Sequence, residues 1–412
     1  MSSRDPSDEI PAPVRRYHFH LPGVVYVLVT LFIAVGAING QNNLLFGALG
    51  LAMGGLLVSG LVSGAALMGV RVRRERSGPA AVGTPSVLRY AVANVNRFWP
   101  AFGLHVEEVP VGEQTRRGGV GAAFRSARTF VTHVAPRAAS DAAAPLRPER
   151  RGVARLSAVR VWSTFPFGLA RKSLTFELPH TVEVRPAALP LRPGLVQRLA
   201  ARAAAGLGAE RVVGAGDEFF GVREYVPGDS LRRIAWRATA RTGALVVRQH
   251  AMPSPVRLWV VVRLGPTPDS PGGVARRERA LALAGSLLAA GDDAGMSVGL
   301  AVPVVEVLLP PRAERRRLDR LLGVLARVEL PAAAAPALAV ERYPEAAARS
   351  ARGAVCIVVH AGPVDRAFGP AHARHLSVAE TDSWLDPTDE GRAMLARVDA
   401  ASAAGGRRRA RG

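Results

Sequence analysis

The sequence predicts a chain in three parts: a two-helix transmembrane hairpin, then a β-sandwich-like domain, then an α/β domain on an open, mainly parallel sheet. Three observations carry this. Two runs near the amino terminus, Leu21–Ile38 and Leu44–Val70, contain no charged residue, and each is long enough to cross a bilayer. Between Arg71 and about Pro190, short β-prone runs alternate with turn residues and helical periodicity is poor. Beyond residue 253, continuous apolar runs alternate with helical stretches, as in a sheet covered on both faces by helices.

The first twenty residues, polar at their start and mixed in charge, predict a disordered cytoplasmic tail. Residues 21–70 form the hairpin, with Asn39–Asn43 (NGQNN) as its polar turn. Gly50, Gly54, Gly55, Gly60 and Gly64 allow close helix contact. Arg15 and Arg16 precede the first span, Arg71, Arg73, Arg74 and Arg76 follow the second, and the turn has no arginine. That asymmetry predicts a multi-pass protein of the cell membrane with both termini cytoplasmic. The bilayer is thus the first expected partner.

Residues 71–190 predict the sandwich, with strands near Ser86–Val92, Gly103–Val109, Thr129–Val134, Val153–Trp162, Leu174–Leu178 and Thr181–Val184. The Ala/Pro-rich Ala135–Arg150 stretch reads as a long loop, and Pro166-Phe167-Gly168 as a turn between strands. His105, His133 and His180 are isolated and suggest no metal site. Residues 253–385 predict the α/β domain. Val256–Leu264 is an almost unbroken apolar run and Ala354–His360 another. Ser297–Val302 and Val304–Leu309 are further strands; Ala275–Ala290 and Arg312–Val328 are helices, the second lined by Leu318, Leu321, Leu322 and Leu325. His372 and His375, three apart, read as a surface pair on one helix face. Residues 386–412 end in ASAAGGRRRARG and predict a basic flexible tail able to brush anionic lipid.

Composition excludes several function classes. Net charge is +21 and the pI about 11.5, a balance that invites nucleic acid or anionic lipid as partner. Yet Lys172 is the one lysine and the arginines are scattered, which points to coding bias, and nucleic acid is not an expected partner. The single cysteine, Cys356, rules out an internal disulfide; inside an apolar run it reads as a small core hydrophobe. Hydrophobic content of 49% with a mean hydropathy of +0.14 agrees with membrane segments.

The densest chemistry lies in residues 191–252, above all Gly214–His250. Asp217, Glu218, Glu224 and Asp229 are interleaved there with Arg223, Arg232, Arg233, Arg237, Arg241 and Arg248. Pro227-Gly228 is a turn signal, and Asp229 is placed to cap a helix over Ser230–Thr239. On that helix Leu231, Ile234 and Ala238 would share one face and Arg233, Arg237 and Arg241 another. Like charges at that spacing repel, so acids should face them, either the chain's own Asp217, Glu218 and Glu224 or those of a partner. Gly214-x-Gly216 resembles half a phosphate loop, but acids follow it and the Lys-Ser/Thr of a Walker loop is missing. Glu224 and Asp229 could be paired carboxylates, yet neighbouring arginines favour their ionised forms.

The same stretch resembles the signature of the bacterial family called domain of unknown function 58. The matching residues are Gly214, Gly216, Glu218, Phe219, Gly221, Arg223, Glu224, Tyr225, Pro227, Gly228, Asp229, Arg232, Ile234, Trp236, Ala240, Arg241, Gly243, Leu245, Val247 and Arg248. Ala235 departs from it, standing where the family usually has Asp. Arg151-Gly152 and Pro166-Phe167-Gly168-Leu169 fit further landmarks. The resemblance implies that the α/β domain is von Willebrand factor A-like. Such domains often hold Mg²⁺ on an Asp-x-Ser-x-Ser loop after the first strand. Here that loop reads Arg263-Leu264-Gly265-Pro266-Thr267, and a cation at the first ligand position repels a metal, although Asp269-Ser270 leaves a shifted register open. No metal and no cofactor are therefore expected. The resemblance also implies a MoxR-type AAA+ ATPase as partner, in a chaperone-like or envelope-related assembly. The expectation is a membrane-anchored scaffold or interaction protein and not an enzyme. The alternatives are a hydrolase-like enzyme acting on envelope or peptide substrates through the signature acids, and a purely structural subunit of a membrane complex.

Overall fold

A computed structural model describes residues 13–19, 21–75, 77–109, 124–125, 127–204, 212–214, 218–227, 229–252, 256–265, 271–329 and 342–409. These residues fall into two compact units that divide between Arg185 and Pro186.

The amino-terminal unit opens on strand β1, Val14–Phe19, which corrects the expectation of a disordered tail through residue 20. Its backbone pairs antiparallel with Ala170–Thr175, and a ladder partner that far along the chain leaves no local signal. Two helices follow, Leu21–Gly40 and Asn43–Ala66. Both are long and apolar enough to cross a membrane, and most of their large apolar side chains are exposed. The turn between them is tighter than predicted. Asn39 and Gly40 stay helical, Gln41 turns the chain with φ 42°, and the Asn42 side chain accepts the Leu44 N–H at 2.9 Å.

Nine further strands complete this unit: β2 Val70–Arg74, β3 Ala80–Ala81, β4 Ser86–Asn94, β5 Ala101–Val109, β6 Phe124–Arg125, β7 Arg128–Val134, β8 Ala139–Pro148, β9 Gly152–Ser163 and β10 Ala170–Arg185. They form a six-stranded sheet ordered β1-β10-β9-β5-β7, with β3 parallel on β10, and a four-stranded sheet ordered β2-β4-β8-β6. The two runs predicted over 174–184 are one strand, β10, bulged between Glu177 and His180.

β8 replaces the loop predicted for Ala135–Arg150. Ala142, Ala144, Leu146 and Pro148 point inward while their neighbours face out, and a period of two is what a half-buried strand requires. Alanine carries too little β preference to announce this. The two sheets are tied by a buried polar cluster. Arg74 binds Glu108 through both carboxylate oxygens at 2.8 and 2.7 Å, and Tyr90 donates to the same carboxylate at 2.7 Å. The predicted turn is present at Phe165–Phe167.

The second unit begins with a helix, Leu195–Ala204, followed by a small antiparallel sheet of β11 Val212–Gly214, β12 Glu218–Glu224 and β13 Val246–Met252, in the order β11-β13-β12. A larger sheet follows, of β14 Arg257–Arg263, β15 Ser297–Val302, β16 Val307–Leu309, β17 Val355–His360 and β18 Arg374–Ser377. Its order is β16-β15-β14-β17-β18, parallel except for β16 at one edge. Residues 258–262 of β14 and all of β17 are buried, as their unbroken apolar runs predict. Helix Pro271–Asp293 packs on β14, β15 and β17. Helix Arg317–Arg327 turns Leu321 and Leu325 inward, but Arg317 is buried with them, donating to the Pro310 carbonyl at 2.6 Å. Cys356 is fully buried beside Trp259 and Val358, the core position expected of it. Residues 389–409, read as a flexible tail from 386 onward, are helical; Asp389 and Glu390 in the first turn favour that start.

Candidate functional site

Two places in the second unit gather chemistry. The first is the signature. β12 and β13 are antiparallel, with Val222 opposite Arg248 and Glu224 opposite Val246. Between them the chain makes a turn at Pro227, a single 3₁₀ turn over Leu231–Arg233 and a short helix, Trp236–Thr242. The predicted single helix from Ser230 to Thr239 is thus broken at Ile234–Ala235. Ile234 bridges to Val247 across the sheet and the Ala235 N–H donates to the Val246 carbonyl at 2.8 Å. Burying Ile234 against β13 outweighs helical continuity, and Arg233 leaves the face shared by Arg237 and Arg241.

Asp229 does not cap a helix. Its carboxylate accepts Arg223 Nη2 at 2.6 Å and the Val226 N–H at 3.0 Å, while its own N–H donates to the Val226 carbonyl. Arg223 also donates to the Glu224 carbonyl at 3.0 Å. The pair closes the Pro227 turn from both sides. The Arg223 hydrogen bond, then the Val226 N–H, hold the Asp229 carboxyl below its usual range, so it is ionised near neutrality. Gly243 ends the helix in the left-handed region at φ 73°, its N–H returning to the Thr239 carbonyl at 3.0 Å, the C-cap geometry that favours glycine.

Apart from that clamp and the buried Ile234, Ala235, Val246 and Val247, many described side chains of the signature face solvent. Trp236 and Leu231 are each 66% exposed, and Val222, Val226 and Leu245 are exposed beside them. Arg232, Arg233, Arg237, Arg241, Arg248 and Glu224 are exposed as well, and Tyr225 is half-buried. Among the described residues, the ion pair in this stretch is Arg223–Asp229. Glu218 and Phe219 lie on β12; Asp217 and Gly228 lie outside the described residues. The exposed side chains of this stretch thus include an indole, five arginines and one glutamate.

The second place is the carboxyl edge of the larger sheet, where the strand order reverses between β14 and β17. Open α/β sheets characteristically bind ligands at such a crevice. Arg263 ends β14 and lies in register with His360, which ends β17. Arg263 donates to Asp365 at 2.8 Å and stacks over Phe368, 4.6 Å from the ring centre. His360 Nε2 and His375 Nδ1 are 2.9 Å apart, a contact in which one imidazole donates and the other, necessarily neutral, accepts. Burial first, then His375 and Arg263, pull the His360 pKa down to about 4.

The expectation that His372 and His375 share a helix face is therefore corrected. His375 lies on β18 and His372 in the turn before it. Sequence reasoning missed the His360–His375 pair because strand pairing, not local spacing, brings the two together. Asp269 and Ser270 lie outside the described residues. No group of three or more His, Cys, Asp or Glu among the described residues is placed to hold a metal.

Residues 221–380 match the family described as "Protein of unknown function DUF58"; that span takes in the signature from Gly221 and every strand of the larger sheet. No curated protein matches the chain.

Proposed function

From the match of residues 221–380 to the family described as "Protein of unknown function DUF58", we propose that this chain is a membrane-anchored scaffold rather than an enzyme. Its two apolar helices hold it in the cell membrane, and its signature segment presents a docking surface on the cytoplasmic side. The partner in this reading is a MoxR-type AAA+ ATPase with an acidic docking face, within a chaperone-like or envelope-related assembly. The β-rich part serves as a sandwich-like spacer and the α/β part as a von Willebrand factor A-like body.

The carrying observation is the exposed Trp236 amid Arg232, Arg233, Arg237 and Arg241. An ordered indole in a cationic surround is the composition of an interface hot spot. The signature acids support the same reading: Asp229 is committed to Arg223 and a backbone N–H, which suits cohesion better than proton transfer. The test is native extraction of tagged full-length protein alongside Trp236→Ala and Arg241→Ala variants, each with a melting curve. The proposal expects the ATPase with the wild type and its loss from variants that melt normally. Failure to recover the ATPase, or equal recovery with folded variants, would refute it.

A further inference from the structure

We infer that the end of the β-rich unit from which the two apolar helices emerge is a membrane-resting face, with Phe98, Trp99 and Phe167 seated in the lipid headgroup region. The inference rests on the anchoring reading above and extends it from the helices to the folded body.

Strand polarity puts one set of loops at this end. β2 begins at Val70, just after helix Asn43–Ala66, and its first residue pairs with Asn94, the last of β4. β8 begins at Ala139, opposite Ala93 of β4. β10 begins at Ala170, opposite Phe19, which closely precedes helix Leu21–Gly40. The segments 95–100, 135–138 and 164–169 therefore all lie on the helix side.

Direct contacts agree with the topology. The Val95 N–H donates to the Gly69 carbonyl at 2.9 Å, and the Arg137 N–H to the Asn96 carbonyl at 3.1 Å. In the first turn of the first helix, a Cβ on Gly23 would lie 2.1 Å from the Leu169 carbonyl oxygen, so that helix can meet the loop only without a side chain there. Lys172 donates to the Gly60 carbonyl of the second helix at 3.0 Å. Phe102, at the start of β5 just after the 95–100 loop, packs its ring on Phe165 of the 164–169 loop, 4.9 Å between ring centres.

The 95–100 loop is built to display its aromatics. The buried Asn94 side chain accepts the Asn96 N–H at 3.0 Å and donates to the Trp99 and Val134 carbonyls at 2.8 and 3.2 Å. Asn96 in turn accepts the N–H groups of Phe98 and Trp99 at 2.9 and 3.2 Å. The backbone is thus fixed while Phe98 and Trp99 stand 75% and 56% exposed, with Phe167 57% exposed on the neighbouring loop. Arg97 and Arg137 are exposed beside them. An amphipathic indole and apolar phenyl rings with flanking arginines are a composition found where a protein meets the headgroup layer, and here that layer is what the emerging helices bring to the same end.

The test uses the full chain in phosphatidylcholine–phosphatidylglycerol vesicles, spin-labelled at one introduced cysteine at a time: Phe98→Cys, Phe167→Cys, Leu51→Cys within the second helix, and Val87→Cys and Val153→Cys near the far ends of β4 and β9. Val87 and Val153 lie about 20–35 Å along their strands from the helix side. Collisions with oxygen and with a water-soluble nickel chelate report depth. The inference expects the labels at 98 and 167 to show a several-fold lower nickel-to-oxygen collision ratio than those at 87 and 153, and position 51 the lowest ratio. Brominated lipid should also quench the wild-type fluorescence more than that of Trp99→Tyr, which leaves the loop aromatic in place. Labels at 98 and 167 as accessible to nickel as those at 87 and 153, with position 51 in the bilayer, overturn this inference and leave the anchor standing. Shielding of 98 and 167 from both reagents overturns it in favour of a protein partner. An aqueous reading at 51 overturns the anchoring reading and this inference with it.

Discussion

Ala235 stands where the family resemblance calls for Asp, and the structure shows what that departure removes. Ala235 is the N-cap of helix Trp236–Thr242 and makes no side-chain capping hydrogen bond. An aspartate there would accept an N–H from Arg237 or Ala238, the second and third helical residues. We predict that Ala235→Asp stabilises the unit. Replacing alanine by a capping residue contributes about 1 kcal/mol. The negative charge adds a few tenths more at a helix amino terminus, with Arg233 and Arg237 each two residues away in sequence. Against this stands partial desolvation, since Ala235 is 5% exposed. The net expectation is about 1 kcal/mol, which in a folding unit of this size raises Tm by roughly 2–4 °C. Thermal melting of the full chain in detergent reads the shift, and Ala235→Asn separates capping from charge, since it caps without one. If both variants melt below the wild type, the site has no room for a cap and the reasoning fails.

Two further outcomes test other parts of the account. Arg74→Ala should cost about 3–5 kcal/mol, because it strands the buried Glu108 carboxylate, while Arg74→Met combined with Glu108→Gln recovers part of that loss; a double-mutant cycle in thermal melts measures the coupling. Burial holds His360 neutral with a pKa near 4, so below about pH 6.5 the unfolded chain takes up a proton that the folded chain refuses. Stability is then lost as pH falls from about 6.5 toward 4, by up to ~3 kcal/mol, and the wild type should lose more Tm between pH 7 and 4.5 than His360→Leu does.

How much of this was legible depended on whether the signal was local. The helix pair announces itself because charge-free runs admit few other readings, and β14 and β17 do so because burial on both faces demands an unbroken apolar run. β8 hid in alanines and prolines, whose burial alternates without any strong strand preference to mark it. β1 hid because its partner strand lies far along the chain. In the signature, residue types led to the expectation of acids facing Arg233, Arg237 and Arg241, whereas the ion pair found among the described residues is Arg223–Asp229. Asp229 after Pro227 suits a helix cap as well as a turn clamp, and only the position of Arg223 on β12 decides for the clamp. The His360–His375 contact and the gathering of Phe98, Trp99 and Phe167 at one end follow from strand order, which no spacing rule encodes.

The docking role of the signature is tested most directly by a photo-reactive residue at position 236 of the full chain in its own membranes. The account predicts a covalent adduct with the AAA+ ATPase, and loss of that adduct when Arg237 and Arg241 are both changed to glutamate in a protein that still melts normally. An adduct that survives the charge reversal, or none at all from folded protein in membranes that contain the ATPase, would contradict it.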